Sequence, residues 1–225
     1  MVVYPTDEQA KAEIIKAGNC LWSRGLVAAN DGNISARVSD RELWATPTGV
    51  SKGGMTEDML VKLDMDGNII CGRMKPSSEL KMHLRIYRED PSALAVVHAH
   101  PPVASAFAAA GVPLEKALLQ ETVVQLGTVP VAPYALPGSD EVGESLAPFS
   151  RSFYAVLLER HGAVTWGESV EKALFRMESV EHFARVTMYS HLMGFDRLMT
   201  KTETDRLVGL RNAWGIDRGG YPKCR

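Results

Sequence analysis

Two histidines stand two residues apart in AVVHAHPPVASAFAAAG, residues 95–111, at the end of an apolar run and just before a Pro-Pro pair. Residues two apart on a strand point to the same face, so His98 and His100 can aim both imidazoles at one point. That arrangement suits a metal ion. Catalytic zinc takes three protein ligands, commonly histidine nitrogens, and keeps a further position open for water or substrate. His161, in ERHGAV between two apolar runs, is the best third donor, because Gly162 beside it permits a backbone geometry that other residues do not adopt. An HxH pair alone is a weak motif, equally at home on a surface or hydrogen-bonded in a core. His83, His182 and His191 fall within expected helices and carry no such signal.

Glu79 follows PSS at an expected helix start. A carboxylate there offsets the helix dipole, and beside a metal it would also serve as a fourth ligand or a general base. Three polar clusters accompany it: NDGN at 30–33, TPTG at 46–49 and PSS at 76–78. They combine glycine, hydroxyl and amide groups with free backbone N–H groups, the ingredients of an anion nest. Each alone reads as a turn. Together, beside three histidines, they suggest a phosphate pocket.

The elements that must carry these groups follow from local pattern. Thr6 and Gln9 have capping-box spacing, and Ala10, Ile14, Ala17, Leu21 and Trp22 recur at helical intervals up to Gly25. Strands are expected at 33–38 and 42–46, and a second hairpin around Asp66-Gly67. Ser77 or Ser78 is expected to cap a helix carrying Glu79, Leu80, His83, Leu84 and Tyr87, and SALAVVHA reads as a buried strand ending at the histidines. A short Ala-rich helix after Pro101-Pro102, a strand in TVPVAPY, a small helix at 139–148, and strands at 154–158 and 163–166 come next. A long helix then runs from Ser169 to Leu192, and a last one begins at Thr202 with Asp205 and ends near Gly215. One α/β or α+β layered domain over residues 1–225 is expected, with a mobile tail at 216–225.

Composition narrows the partner. The 225 residues are 45% hydrophobic and 23% charged with a formal net charge of −2, so nothing marks the chain for nucleic acid or an anionic membrane. A small-molecule partner is expected. Cys20, Cys71 and Cys224 are scattered without a CxxC pair, which argues against a disulfide framework and a thiolate zinc site and fits a reducing cytoplasm. The first residues show no continuous apolar run of signal-peptide type, and no stretch reaches the roughly 20 apolar residues of a spanning helix.

DGNIS, TPTG, KPSSE, VVHAHP, APY and RHG occur in the order and approximate spacing of the class II aldolase/adducin superfamily, which the chain resembles from about residue 7 to residue 193. The resemblance implies a three-layer α/β/α sandwich around a mixed, mostly antiparallel sheet, assembled as a homotetramer with sites near subunit interfaces. It implies a zinc ion, or another divalent metal, held by His98, His100 and His161, with Glu79 as acid/base group and alternative ligand. The phosphate pocket maps onto Asn30, Asn33, Thr48, Gly49, Ser77 and Ser78. The implied activity is cleavage of a ketose 1-phosphate of the L-fuculose 1-phosphate type to dihydroxyacetone phosphate and a short aldehyde, through a zinc-stabilised enediolate. Family aldolases also use tyrosines on the aldehyde side. Here LLQETVVQ offers Gln120 and Glu121 but no tyrosine, while Tyr221 in the tail can stand in for the second. The same scaffold hosts decarboxylases, sugar-phosphate dehydratases of the methylthioribulose-1-phosphate type and 4-epimerases, the epimerases carrying aspartate after PSS where this chain has Glu79. An adducin-like interaction domain without enzymatic activity would require the metal ligands to be lost.

Overall fold

The computed structural model describes residues 2–195 and 197–225. The first helix, α1 (Asp7–Ser23), starts as its capping box requires: the Thr6 hydroxyl accepts from the Gln9 N–H and the Gln9 side chain accepts from the Thr6 N–H. Its Ala10, Ile14, Ala17 and Leu21 form one buried stripe. Strands β1 (Asn33–Arg37) and β2 (Glu42–Ala45), then β3 (Val61–Asp64) and β4 (Ile69–Cys71), form the two expected antiparallel hairpins. After these come α2 (Leu80–Glu89), β5 (Ala95–Ala99), α3 (Pro102–Ala109), α4 (Gln120–Gln125), β6 (Val131–Ala132) and α5 (Glu141–Leu146). The chain closes with β7 (Ala155–Leu158), β8 (Gly162–Gly167), α6 (Val170–Leu192) and α7 (Lys201–Ala213).

The strands lie in the order β4-β3-β2-β1-β5-β8-β7-β6. Neighbours are antiparallel except β6 and β7, which run parallel. Strand alternation divides the core. Ile34, Ala36, Val97 and Ala99 pack with Ile14, Ala104 and Phe183 on the side of α1, α3 and α6. Val96, Val164 and Trp166 pack with Leu84, Tyr87 and Leu146 on the side of α2 and α5. The three-layer arrangement is therefore present. It turns Asn33 and Ser35 of β1 and His98 of β5 toward α2, and Asn33 and His98 are direct partners in the β1–β5 register.

Several local expectations differ from the structure. No side chain caps α2; Glu79 itself occupies the cap position at φ −88° and ψ 3°, and the Ser77 hydroxyl accepts from the Glu79 N–H at 3.3 Å. Helix α4 arises in a segment where no element is expected, and β6 is cut to two residues. Helix α7 begins one residue early because Thr200 and Glu203, a competing capping pair, bond reciprocally through side chains and backbone N–H groups. The tail at 216–225, expected to be mobile, is laid against the domain. Arg218 forms a two-pronged pair with Asp90, which is 3% exposed, the Gly219 N–H donates to the Ser152 carbonyl at 2.9 Å, and the Ala117 N–H donates to the Lys223 carbonyl at 2.9 Å. No described helix is long and apolar enough to cross a membrane.

Candidate metal centre and active site

His98, His100 and His161 converge. Their ring centroids are 4.7–5.0 Å apart, and one ligand nitrogen from each lies within 4.8 Å of the other two. His98 stands at the end of β5, His100 just past it, and His161 in the turn between β7 and β8, so the β5–β8 pairing brings the three together at the ends of the central strands. Gly162 matters for space rather than for backbone angle. A Cβ there would sit 2.6 Å from the Ala99 carbonyl oxygen and 2.6 Å from His100 Cδ2, while the residue with positive φ in this turn is Arg160, at 58°. Gly32 has the same close-approach role: its φ is +75°, and a Cβ on it would lie only 2.8 Å from the His98 carbonyl oxygen.

The hydrogen bonds fix which nitrogens are free. His98 Nδ1 faces the Ala163 carbonyl at 2.9 Å, an acceptor only, so that nitrogen carries the proton. His100 Nδ1 faces the Asp31 carboxylate at 3.2 Å, with the same consequence. Both Nε2 atoms then face the space between the rings, and they lie 3.1 Å apart. Burial, with His98 and His161 nearby, pushes the His100 pKa down to about 4, so the ring is neutral at pH 7. Two facing ring nitrogens and an adjacent carboxylate form a donor set that a divalent cation satisfies, and histidine anchored through its other nitrogen is the usual metal-ligand arrangement.

Glu79 closes the cluster. Its Oε1 lies 3.0 Å from His161 Nε2 and its Oε2 lies 3.3 Å from His98 Nε2. Burial opposes its charge, but hydrogen bonds from His161 and His98 outweigh that and hold the carboxyl well below the usual carboxylate range. Asn33 steadies it, donating to Glu79 Oε2 at 2.8 Å and to the Ser77 hydroxyl at 3.2 Å. Asn33, expected in a phosphate pocket, therefore braces Glu79.

The three polar clusters come together. Pro47 and Pro76 form a short antiparallel bridge that sets TPTG beside PSS, and the Thr48 N–H donates to the Lys75 carbonyl. Asn30, Thr48, Gly49 and Ser78 are exposed around this region and Ser77 is half-buried. Tyr221 is not brought to the cluster within its own chain: its hydroxyl donates to Asp205 at 2.7 Å, and that bond raises its pKa. Gln120 and Glu121 open α4, with Gln120 in a separate hollow beside Met199, Glu203 and Leu207.

Three residues escape a reading of the sequence. Asp31 lies inside NDGN without a distinguishing signal, although it orients His100. Lys52 is buried behind the same loop. His83, which its spacing marks only as helical, is 1% exposed, and its Nδ1 hydrogen-bonds the Ser35 hydroxyl at 2.7 Å, which in turn meets the Tyr87 hydroxyl at 2.7 Å. A signal for it exists: Glu79, His83 and Tyr87 are spaced by four on one helix face, opposite Asn33 and Ser35 of β1.

Known proteins agree with this geometry. The sequence profile of the class II aldolase and adducin N-terminal domain matches residues 12–188. The chain is 36% identical over 185 residues to the 3-oxo-tetronate 4-phosphate decarboxylase of Pectobacterium atrosepticum, covering 80% of this chain and 84% of that protein. It is 34% identical over 174 residues to the L-fuculose phosphate aldolase of Methanococcus maripaludis, covering 77% of this chain and 93% of that one. A solved L-fuculose 1-phosphate aldolase superposes with a TM-score of 0.84 at 26% identity, over 94% of this chain and all of that one. The fold, the three converging imidazoles and the profile match together make this chain an enzyme of the class II aldolase and adducin superfamily.

Proposed function

We propose that the protein is a metal-dependent carbon–carbon lyase that removes CO2 from a short 3-oxo acid bearing a terminal phosphate, of the 3-oxo-tetronate 4-phosphate type, and releases dihydroxyacetone phosphate. The observation that carries this reading is the proton-handling inventory at the cluster. Glu79 is the carboxylate against the ligand nitrogens, Asp31 is committed to His100, and the hydroxyls of Tyr87, Tyr154 and Tyr221 are engaged elsewhere. Aldol cleavage needs one base for the aldehyde-side hydroxyl and one acid for the enediolate. Decarboxylation needs only the acid, because its leaving group is already a carboxylate.

His98, His100 and His161 would hold a divalent metal, which when bound would supply Lewis-acid polarisation of the substrate ketone. The chain's own residues do the rest. The loops carrying Asn30, Thr48, Gly49, Ser77 and Ser78 anchor the phosphate and so fix the scissile bond beside Glu79. As the carbon–carbon bond breaks, its electron pair passes into the ketone and CO2 departs. A proton taken up from solvent passes through Glu79 to the carbon that lost CO2, leaving the carboxylate ionised as it began. Asn33 keeps the carboxyl aimed during both events.

Aldol cleavage of a ketose 1-phosphate is the second reading, favoured by the likeness to L-fuculose phosphate aldolases and by the fact that it passes through the same enediolate. Metal-loaded protein given 3-oxo-tetronate 4-phosphate should release CO2 and dihydroxyacetone phosphate in equal amounts. Dihydroxyacetone phosphate from L-fuculose 1-phosphate alone would favour the aldolase, and none from either substrate would sink both. The homotetramer belongs to the same proposal, supported by the exposed Leu192, Met193 and Phe195 at the end of α6, and sedimentation tests it.

A further inference from the structure

Lys52 begins the short 3-10 turn Lys52–Gly54 and is 1% exposed. Its Nζ donates to the Asn30 carbonyl at 2.9 Å and to the Val50 carbonyl at 2.6 Å. An ammonium group has three protons. The third has no acceptor among the described residues, and no carboxylate among them forms an ion pair with this side chain. A buried cation without a paired anion is unfavourable unless something compensates it. Burial accordingly pushes its pKa down to about 8, with the more distant charges of Asp31 and Glu79 opposing the shift.

The placement of this charge is informative. Asn30 opens the NDGN loop, and Val50 directly follows TPTG, so one ammonium joins two of the three clusters assigned to the phosphate. Carbonyl dipoles suffice to hold a lysine in place but leave its charge uncompensated. A dianion in the adjoining loops supplies what is missing.

We propose that Lys52 is a phosphate-site residue: it clamps the Asn30 and Val50 loops into one cradle and provides the buried positive charge that the substrate's phosphate dianion compensates. The proposal rests on the reading that the substrate is phosphorylated. It adds a charged group to a pocket otherwise built from hydroxyl, amide and backbone N–H groups.

The test uses metal-loaded full-length protein and inorganic phosphate as the probe, followed by titration calorimetry. Lys52→Met should weaken phosphate binding about ten-fold or more, the scale of a lost charge-assisted bond, while stoichiometric metal is retained. Lys52→Arg should recover part of the loss, and with turnover assayed Lys52→Met should raise KM more than it lowers kcat. A folded, metal-retaining Lys52→Met variant that binds phosphate as tightly as the parent overturns the proposal. Should that variant not fold, the parent labelled with 13C at lysine Cε decides: phosphate should raise the titration midpoint of the buried lysine, and an unmoved midpoint overturns the proposal. A parent protein that binds no phosphate at all removes the phosphorylated-substrate reading, and the role of Lys52 with it.

Discussion

His98 and His100 hold their Nε2 atoms 3.1 Å apart while the other nitrogen of each ring is already committed, to the Ala163 carbonyl and to Asp31. With those nitrogens committed, the two Nε2 atoms converge on one point beside Glu79, which a shared divalent cation would fill. Replacing His98 with alanine should therefore abolish stoichiometric metal. Asp31→Asn keeps the ring but weakens its anchor, and should lower metal affinity by about 10–100-fold, the range for partners that orient a metal-bound histidine. Metal titration by competition with a chromophoric chelator measures both, and an Asp31→Asn protein of unchanged affinity would show that this contact does not orient His100.

The histidine cluster is only half legible in the sequence. The HxH spacing and its position at the end of a buried strand locate two candidate ligands, and the ERHG turn locates the third, because strand alternation and strand ends are local properties of sequence. The anchors are not legible. Ala163 contributes a backbone carbonyl, which carries no residue signature, and Asp31 reaches His100 across a loop whose conformation depends on Gly32 packing against β5. The expected serine cap on α2 fails for a related reason: Ser77 is spent on Asn33 and on the Glu79 N–H, a tertiary demand that overrides capping preference. The tail looks mobile in the sequence because its packing rests on Asp90, more than a hundred residues earlier in the chain.

His83 makes stability depend on acid. Its burial pushes the pKa down to about 3, so on acidification the unfolded chain binds the proton first. The contribution of His83 is complete above the ordinary histidine value of 6.5 and drains as pH falls toward about 3, at about 1.4 kcal/mol per pH unit. His83→Gln should flatten the acid limb of a urea-midpoint profile by one proton within that window. A profile of unchanged slope would mean that the ring is not buried as a neutral base.

The tail separates structure from chemistry. Truncation after Gly215 removes Arg218 and leaves Asp90 buried without its partner, a loss of about 3–5 kcal/mol by analogy with other broken buried pairs. The truncated protein should therefore melt earlier, and any fall in its activity says little about Tyr221. Tyr221→Phe is the cleaner probe. With the hydroxyl bonded to Asp205, the variant should keep kcat within about twofold; a fall of about a hundred-fold, the scale of a lost general acid or base, would place Tyr221 in the reaction.

Both decarboxylation and aldol cleavage converge on one species, the enediolate of dihydroxyacetone phosphate, and on one proton transfer, to carbon by Glu79. The most direct measurement follows dihydroxyacetone phosphate by proton NMR in deuterated water with metal-loaded protein and no second substrate. The hydrogens on the hydroxymethyl carbon should exchange for deuterium. Removing the metal with chelator should stop the exchange, and Glu79→Gln should stop it while keeping the metal. Exchange at the parent rate in Glu79→Gln, or no exchange in metal-loaded parent protein that binds dihydroxyacetone phosphate, would contradict the assignment of Glu79 and the enediolate route.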